Sequence, residues 1–185
     1  MKILNYLILI FISIISSVKA DLNQNIIFEL KKGGKLIFIR HAYAPGGGDP
    51  KNFNIDDCNT QRNLNEEGRV QSKKIGNFFK KNKIFIEKVY SSEWCRCKET
   101  AFLAFKNYET KNFLNSFFSK KFADNRQKQI IDFKKFIADW DQDQNLIFVT
   151  HYVVISEILK YAPSSGEIVI SNKNYKLLGS ISNIK

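Results

Sequence analysis

Apolar positions along this chain follow two periods. Leu36-Ile37-Phe38-Ile39 and Leu146-Ile147-Phe148-Val149 are continuous apolar runs of strand length, the pattern of strands covered on both faces. Ile84-Phe85-Ile86 with Val89-Tyr90 reads as a further strand, and residues 167–171 and 176–181 as the last two. Between these runs the period is helical. Ile26, Ile27 and Leu30 mark a short amphipathic helix ended by Gly33-Gly34. Asn65 is a helix N-cap with Glu66 and Glu67 in the first turn. That helix runs to about Asn82 and is expected to bury Val70, Ile75 and Phe78 or Phe79. Ser91-Ser92 is expected to cap a helix over 93–106. Asn125 to Trp140 forms another, with Ile130, Ile131, Phe133, Phe136, Ile137 and Trp140 as its apolar face. A last helix follows His151 to about Tyr161, ahead of Pro163. This order predicts one α/β domain, a three-layer sandwich with a mostly parallel central sheet and helices on both faces.

Two segments lack either period. Residues 42–63 are rich in Gly, Pro, Asn and Asp, and a loop of that length inside a compact domain is usually functional. Residues 107–124 are poorly patterned but carry Phe113, Phe117, Phe118 and Phe122. They read as a partly ordered excursion that covers part of a site.

The first twenty residues read as a secretory signal. Lys2 is followed by a nearly continuous apolar stretch from Ile3 to Ile15, short for a bilayer span of about 20 residues. Val18 and Ala20 then supply small residues at a cleavage site, so the mature chain is expected to be a single domain, 21–185. An uncleaved N-terminal anchor is the weaker alternative. Export to the periplasm or medium follows from the signal, with no stable membrane insertion after cleavage. Loss of residues 1–20 removes Lys2 and Lys19, lowering the formal charge from +11 to +9. The lysines are scattered, and no Arg-rich or aromatic-interleaved basic tract points to nucleic acid.

Candidate chemistry gathers at the strand ends. The chain has two histidines, and each closes a Leu-Ile-Phe run: Arg40-His41 and Thr150-His151. Ligands of open α/β sheets bind outside the carboxyl ends of the strands, so adjacent strands would bring His41 and His151 to one crevice. Arg96 falls in the first turn of a helix, where the N-terminus already favours anions. Its guanidinium suits bidentate binding of phosphate oxygens. Cys95 and Cys97, two apart on that helix, diverge and cannot pair with each other. Cys58, in the loop expected to fold over the same helix start, pairs with Cys95 or Cys97, with Cys95 preferred; three buried free thiols are the alternative. No His or Cys spacing gives a metal site.

These residues carry a resemblance to the histidine phosphatase superfamily, the phosphoglycerate-mutase-like group. Arg40-His41-Ala42 resembles its Arg-His-Gly signature. Ser91 to Ala101 resembles its Ser-Ser-x-x-x-Arg-x-x-x-Thr-Ala segment, and Thr150-His151 its second histidine. Leu64 to Gln71 resembles its Leu-Thr-x-x-Gly-x-x-Gln helix start. The four segments stand in family order and span most of residues 35–160. Two departures are visible. Ala42 replaces the glycine, and no Glu-x-x-x-Gly-x-x-x-Gly-like stretch follows Arg96 to supply a general acid. Tyr152 follows His151, so a His-Asp acid is absent as well. Asp49, Asp124 and Glu167 are the candidate acids.

The resemblance implies a phosphoric monoester hydrolase that needs no metal and no cofactor, and the signal makes it an exported one. His41 would attack phosphorus and become a phosphohistidine, while Arg40, Arg96 and His151 hold the oxygens. Arg62 is a further candidate phosphate contact. The expected partner is a phosphorylated small molecule or envelope component. A non-catalytic phosphate-binding or cell-envelope interaction protein on the same fold is the alternative.

Overall fold

The computed structural model describes residues 24–182 and 184; the segment read as a signal, 1–20, lies outside them. In chain order the elements are helix α1 (24–31), strand β1 (Leu36–Arg40), α2 (Glu66–Lys81), β2 (Ile86–Ser91), α3 (Cys95–Phe105), β3 (Glu109–Thr110), α4 (Arg126–Ala138), β4 (Asn145–Thr150), α5 (Tyr152–Leu159), β5 (Ile168–Ser171) and β6 (Leu177–Ile181). Short 3-10 turns lie at Cys58–Thr60, Asn112–Leu114 and Lys120–Asn125.

The two Leu-Ile-Phe runs are neighbours in the sheet. β1 pairs with β4 in parallel, Leu36 opposite Leu146 through Arg40 opposite Thr150. The six strands stand in the order β3-β2-β4-β1-β5-β6. The first four are mutually parallel, β5 is antiparallel to β1, and β6 is antiparallel to β5. The mostly parallel α/β sheet expected from the pattern is therefore the observed one. β3 has two residues, too short for any periodicity to reveal.

Strand side chains alternate between the faces, and each face has its own core. Ile37, Ile39, Ile147, Val149, Ile168 and Ile170 pack with Ile26 and Leu30 of α1, Ile75 and Phe79 of α2, and Ala101 of α3. Leu36, Phe38, Leu146, Phe148 and Val169 pack on the other side with Phe133 and Ile137 of α4 and Val154, Ile155 and Ile158 of α5. Each such apolar side chain, once fully buried, stabilises the fold by about 1.5–3 kcal/mol. This two-sided burial is why β1 and β4 read as unbroken apolar runs.

Local chemistry sets the ends of these elements. Gly33 closes α1 with a φ of +75° where a Cβ would meet the Asp143 carbonyl, so the turn requires glycine. The Asn65 side chain accepts the Gly68 N–H at 2.9 Å, capping α2. α2 differs from expectation in its inward face, which is Gly68, Ser72, Ile75 and Phe79, while Val70 is exposed. The cause is Gly68. A Cβ there would sit 2.0 Å from the Tyr43 carbonyl, so this helix face lies directly on the loop backbone after His41.

Ser91-Ser92 does not cap α3. The N-cap is Trp94, which makes no side-chain capping bond. Ser92 is instead turned toward His151. The excursion after α3 is ordered by its phenylalanines: Phe113 and Phe117 are buried on the α4–α5 side.

Candidate active site

Because β1 and β4 end together, His41 and His151 leave the sheet at one edge. Their ring centroids are 5.5 Å apart and both side chains are buried. His41 Nδ1 lies 2.8 Å from the Ala42 carbonyl, which can only accept, so Nδ1 carries the proton. Nε2 is then the unprotonated ring nitrogen. It faces Arg96 Nε–H at 3.2 Å. Thr100 fixes this geometry from α3, donating to the Arg96 carbonyl at 2.7 Å and accepting the Ala42 N–H at 3.0 Å. Gln71 of α2 accepts the Tyr43 N–H and donates to the Ser165 carbonyl, holding the same loop from the other side.

The tautomer of His151 follows from its neighbours. Asn115 Oδ1 accepts the Glu93 N–H and therefore also accepts from Ser92 Oγ–H. With its one proton used there, Ser92 Oγ must accept from His151 Nε2–H at 2.9 Å. Nδ1 is then the ring nitrogen left for a ligand. Cys97 Sγ lies 3.5 Å from the same Nε2. Burial and the nearby Arg96 guanidinium hold both imidazoles well below the usual histidine range, so both are neutral at neutral pH.

Three guanidiniums line the cavity beside the histidines, those of Arg40, Arg62 and Arg96. Arg40 donates to the Pro163 carbonyl at 2.9 Å and lies over the Tyr152 ring. Arg62 donates through Nη1 to the Ala44 carbonyl. In both, the buried Nε has no partner in the structure. Arg96 is 3% exposed and differently placed. Its Nη1 and Nη2 meet the Asp49 carboxylate at 2.7 and 3.1 Å. Asp49 also accepts from the Trp94 indole and the Arg62 backbone N–H, each at 3.1 Å. Burial pushes the Asp49 carboxyl up, but its bonds to Arg96, Arg62 and Trp94 outweigh that and hold it below the ordinary carboxylate range.

The cavity is about 560 Å³. Beyond the cationic floor it is walled by Phe53, Trp94 and Phe122, whose rings pack at centroid distances of 5.0 to 5.6 Å. Lys51 and Lys121 also line it. Residues 116–122 of the excursion supply part of the lining, as the sequence led us to expect.

Of the three acids named from the sequence, the structure brings only Asp49 to the cavity. Asp124 is exposed and does not line it. Glu167 is buried elsewhere, accepting from the Tyr161 hydroxyl and the Ser164 N–H. Cys58 is joined to Cys95, and Cys97 is a buried free thiol that burial pushes up to about 12. The disulfide, with Gln61 Oε1 accepting the Cys95 N–H at 2.9 Å, fastens the 42–63 loop to the start of α3. Ser92, Asn115 and Trp94 were not singled out as site residues from the sequence. Only their place next to the Arg96 segment hinted at Ser92 and Trp94, and nothing local marked Asn115. Among the described residues, no group of three or more His, Cys, Asp or Glu gathers as a metal site would require.

No protein-family model matches the chain, and no curated protein sequence does. Solved structures do. TTHB049 from Thermus thermophilus superposes with a TM-score of 0.56 at 14% identity, over 80% of this chain and 99% of that one. The protein histidine phosphatase SixA complexed with tungstate gives 0.54 at 14% identity, over 80% and 96%. A candidate alpha-ribazole-5'-P phosphatase from Escherichia coli K-12 gives 0.57 at 14% identity, over 78% and 94%. The chain therefore shares the α/β fold of these three proteins along nearly their whole length.

Proposed function

We propose that this protein is a member of the histidine phosphatase superfamily that hydrolyses a phosphomonoester through a phosphohistidine on His41. The observation that carries the reading is the tautomer of His41. Its Nδ1–H is spent on the Ala42 carbonyl, which leaves Nε2 as the unprotonated nitrogen, in contact with Arg96 at the wall of a cavity floored by Arg40, Arg62 and Arg96. Nε2 forms the bond to phosphorus as the ester oxygen leaves. The guanidiniums stabilise the charge that develops on the equatorial oxygens. Water then attacks phosphorus, the P–N bond breaks, and phosphate departs. His151, fixed by Ser92 and Asn115, contributes a second polar group from β4.

The test is a brief exposure of purified protein to a radiolabelled aryl phosphate with alkaline quench. An acid-labile, base-stable label on His41 is expected, with label and turnover both lost in His41→Ala. Label retained by that variant overturns the assignment.

One observation favours a second reading, a phosphate-binding protein without turnover. The acid at the cavity, Asp49, is held as a carboxylate by Arg96 and has no proton to give a leaving group. Phosphate binding with no label on His41 would establish that reading.

Export belongs to the proposal too. Lys2, the apolar stretch and Ala20 support it, and so does a disulfide, which persists in oxidising compartments. The mature N-terminus in the native host is expected at or within two residues of Asp21, and soluble protein that retains Met1 would exclude cleavage.

A further inference from the structure

The Asp49–Arg96 pair places an anion inside the cationic site itself. Arg96 has five N–H donors. One goes to His41 Nε2, one to the Arg62 carbonyl and two to Asp49. An incoming oxyanion cannot take both ends of this guanidinium fork while Asp49 holds it. Nor can phosphorus approach His41 Nε2 freely while Arg96 Nε–H covers that lone pair at 3.2 Å. Arg40 and Arg62 are in the opposite condition. Neither is ion-paired among the described residues, apart from their backbone bonds, and the buried Nε of each is unpartnered.

We propose that Asp49 is a specificity-determining residue that competes with the substrate for Arg96. A phosphoryl dianion is first drawn by Arg40 and Arg62, then takes the Arg96 fork and displaces the carboxylate. This rests on the phosphatase reading above and adds a selection rule to it. A monoanion offers the fork no more charge than Asp49 already does, so it gains little by exchange. A phosphate dianion carries twice that charge and accepts bidentately.

The backbone around Asp49 permits the exchange. Gly46 and Gly48 take φ values of +92° and +84°, and a Cβ built on Gly47 or Gly48 would meet nothing within 4 Å. Gly47 and Gly48 therefore have open space on their Cβ side, and a Cβ on Gly46 would meet only Arg62 Cδ at 3.7 Å, whereas beyond Asp49 the loop is pinned by Cys58–Cys95. Asp49 sits at the junction of a loose segment and a fastened one. Its departure from Arg96 would also release the Trp94 indole and the Arg62 N–H.

The alternative is that Asp49 stays on Arg96 as a positioning residue and the phosphoryl group sits on Arg40, Arg62 and His151 alone. The two arrangements predict different results for Asp49→Asn. Under displacement, inorganic phosphate and tungstate bind the variant on the order of tenfold more tightly than the native protein, as removal of a competing like charge requires. Under retention the variant gains nothing, because relief of the like charge is offset by loss of the ion pair that positions Arg96. Binding is read by calorimetry and by ligand-induced thermal shift, each relative to the same protein without ligand. A second measurement needs no variant. The Trp94 indole donates to Asp49, while the Trp140 indole is buried without a partner and serves as the internal reference. Displacement by phosphate moves the Trp94 indole N–H resonance of the native protein and leaves that of Trp140 in place. Unchanged or weaker binding by Asp49→Asn, or a stationary Trp94 resonance in phosphate-saturated protein, overturns the proposal but leaves the phosphatase reading standing. Failure of both proteins to bind phosphate or tungstate overturns that reading and this proposal with it.

Discussion

Arg96 Nε points at His41 Nε2 across 3.2 Å, so a permanent cation lies against the nitrogen whose lone pair must attack. This contact orients the imidazole and opposes its protonation. Arg96→Lys keeps the charge but loses the fork and the Nε–H donor. Turnover of an aryl phosphate is expected to fall by about 10²–10³, the usual effect of removing one preorganised donor at a reacting centre. Steady-state kinetics, with circular dichroism to verify folding, would measure it.

Acid should destabilise the protein at a higher pH than carboxylates alone would explain. His41 and His151 both titrate well below 6.5 when folded, chiefly through burial. The unfolded chain binds their protons near pH 6.5 while the folded chain does not. Stability is therefore full above that value and declines as pH falls below it, by up to about 1.4 kcal/mol per pH unit for each histidine. Melting temperatures between about pH 7.5 and 5.5 should show the decline, and His151→Gln should make it shallower. The neutral imidazole needed for attack persists through the same range, so His41 itself should cause no fall in activity near pH 6.5, and a fall should instead follow loss of the substrate dianion at about pH 6.

The Cys58–Cys95 bond spans 37 residues, and closing a loop of that size in the unfolded chain corresponds to about 3–4 kcal/mol. Cys58→Ser is expected to lose a comparable stability in denaturant titrations. Its effect on turnover should be larger than that loss alone predicts, since the bond fastens the loop carrying Asp49 and Arg62. Cys97 should resist alkylation until the protein unfolds, because its thiol is buried and pushed up to about 12.

Asn145 is fully buried and ties three segments together. Its side chain accepts the Lys35 N–H and donates to the Leu30 and Phe85 carbonyls. Asn145→Ala strands those backbone groups, at a cost of about 2–4 kcal/mol. Chemical denaturation should register this change with little effect on phosphate affinity, since the residue stands at the opposite end of β4 from His151.

What the sequence revealed and what it withheld have a common physical origin. An apolar run covered on both faces locates a strand and its end, so the placement of His41 and His151 at one sheet edge was legible from Leu36–Ile39 and Leu146–Val149. The Arg96 segment was legible because Arg96 falls in the first turn of a helix, where the N-terminus favours anions. Destinations of loop side chains were not. Asp49 could be named as an acid at a glycine-rich loop, but its pairing with Arg96 depends on how the loop folds back. Asp124 and Glu167 carry the same chemistry and end up away from the cavity. Ser92 looked like a cap because serine favours that position. Only the arrival of β4 and Asn115 gives its hydroxyl another partner. Val70 fits the helical period, yet the close approach of Gly68 to Tyr43 rotates α2 and leaves it in solvent.

The sheet order also governs when the site comes into being. β4 lies between β2 and β1, two strands that precede it in the chain by more than fifty residues. Without β4, β1 and β2 have no hydrogen-bonded connection in this sheet, and an open seam lies beneath the side-chain bonds that join the His41 and Arg96 segments. The last strand of the parallel set to be synthesised is the wedge that closes it and brings His151 along. A chain cut short before Asn145 thus lacks more than one histidine. It also lacks the strand that joins β1 to β2, so the loop contacts among the other site residues have no continuous sheet beneath them.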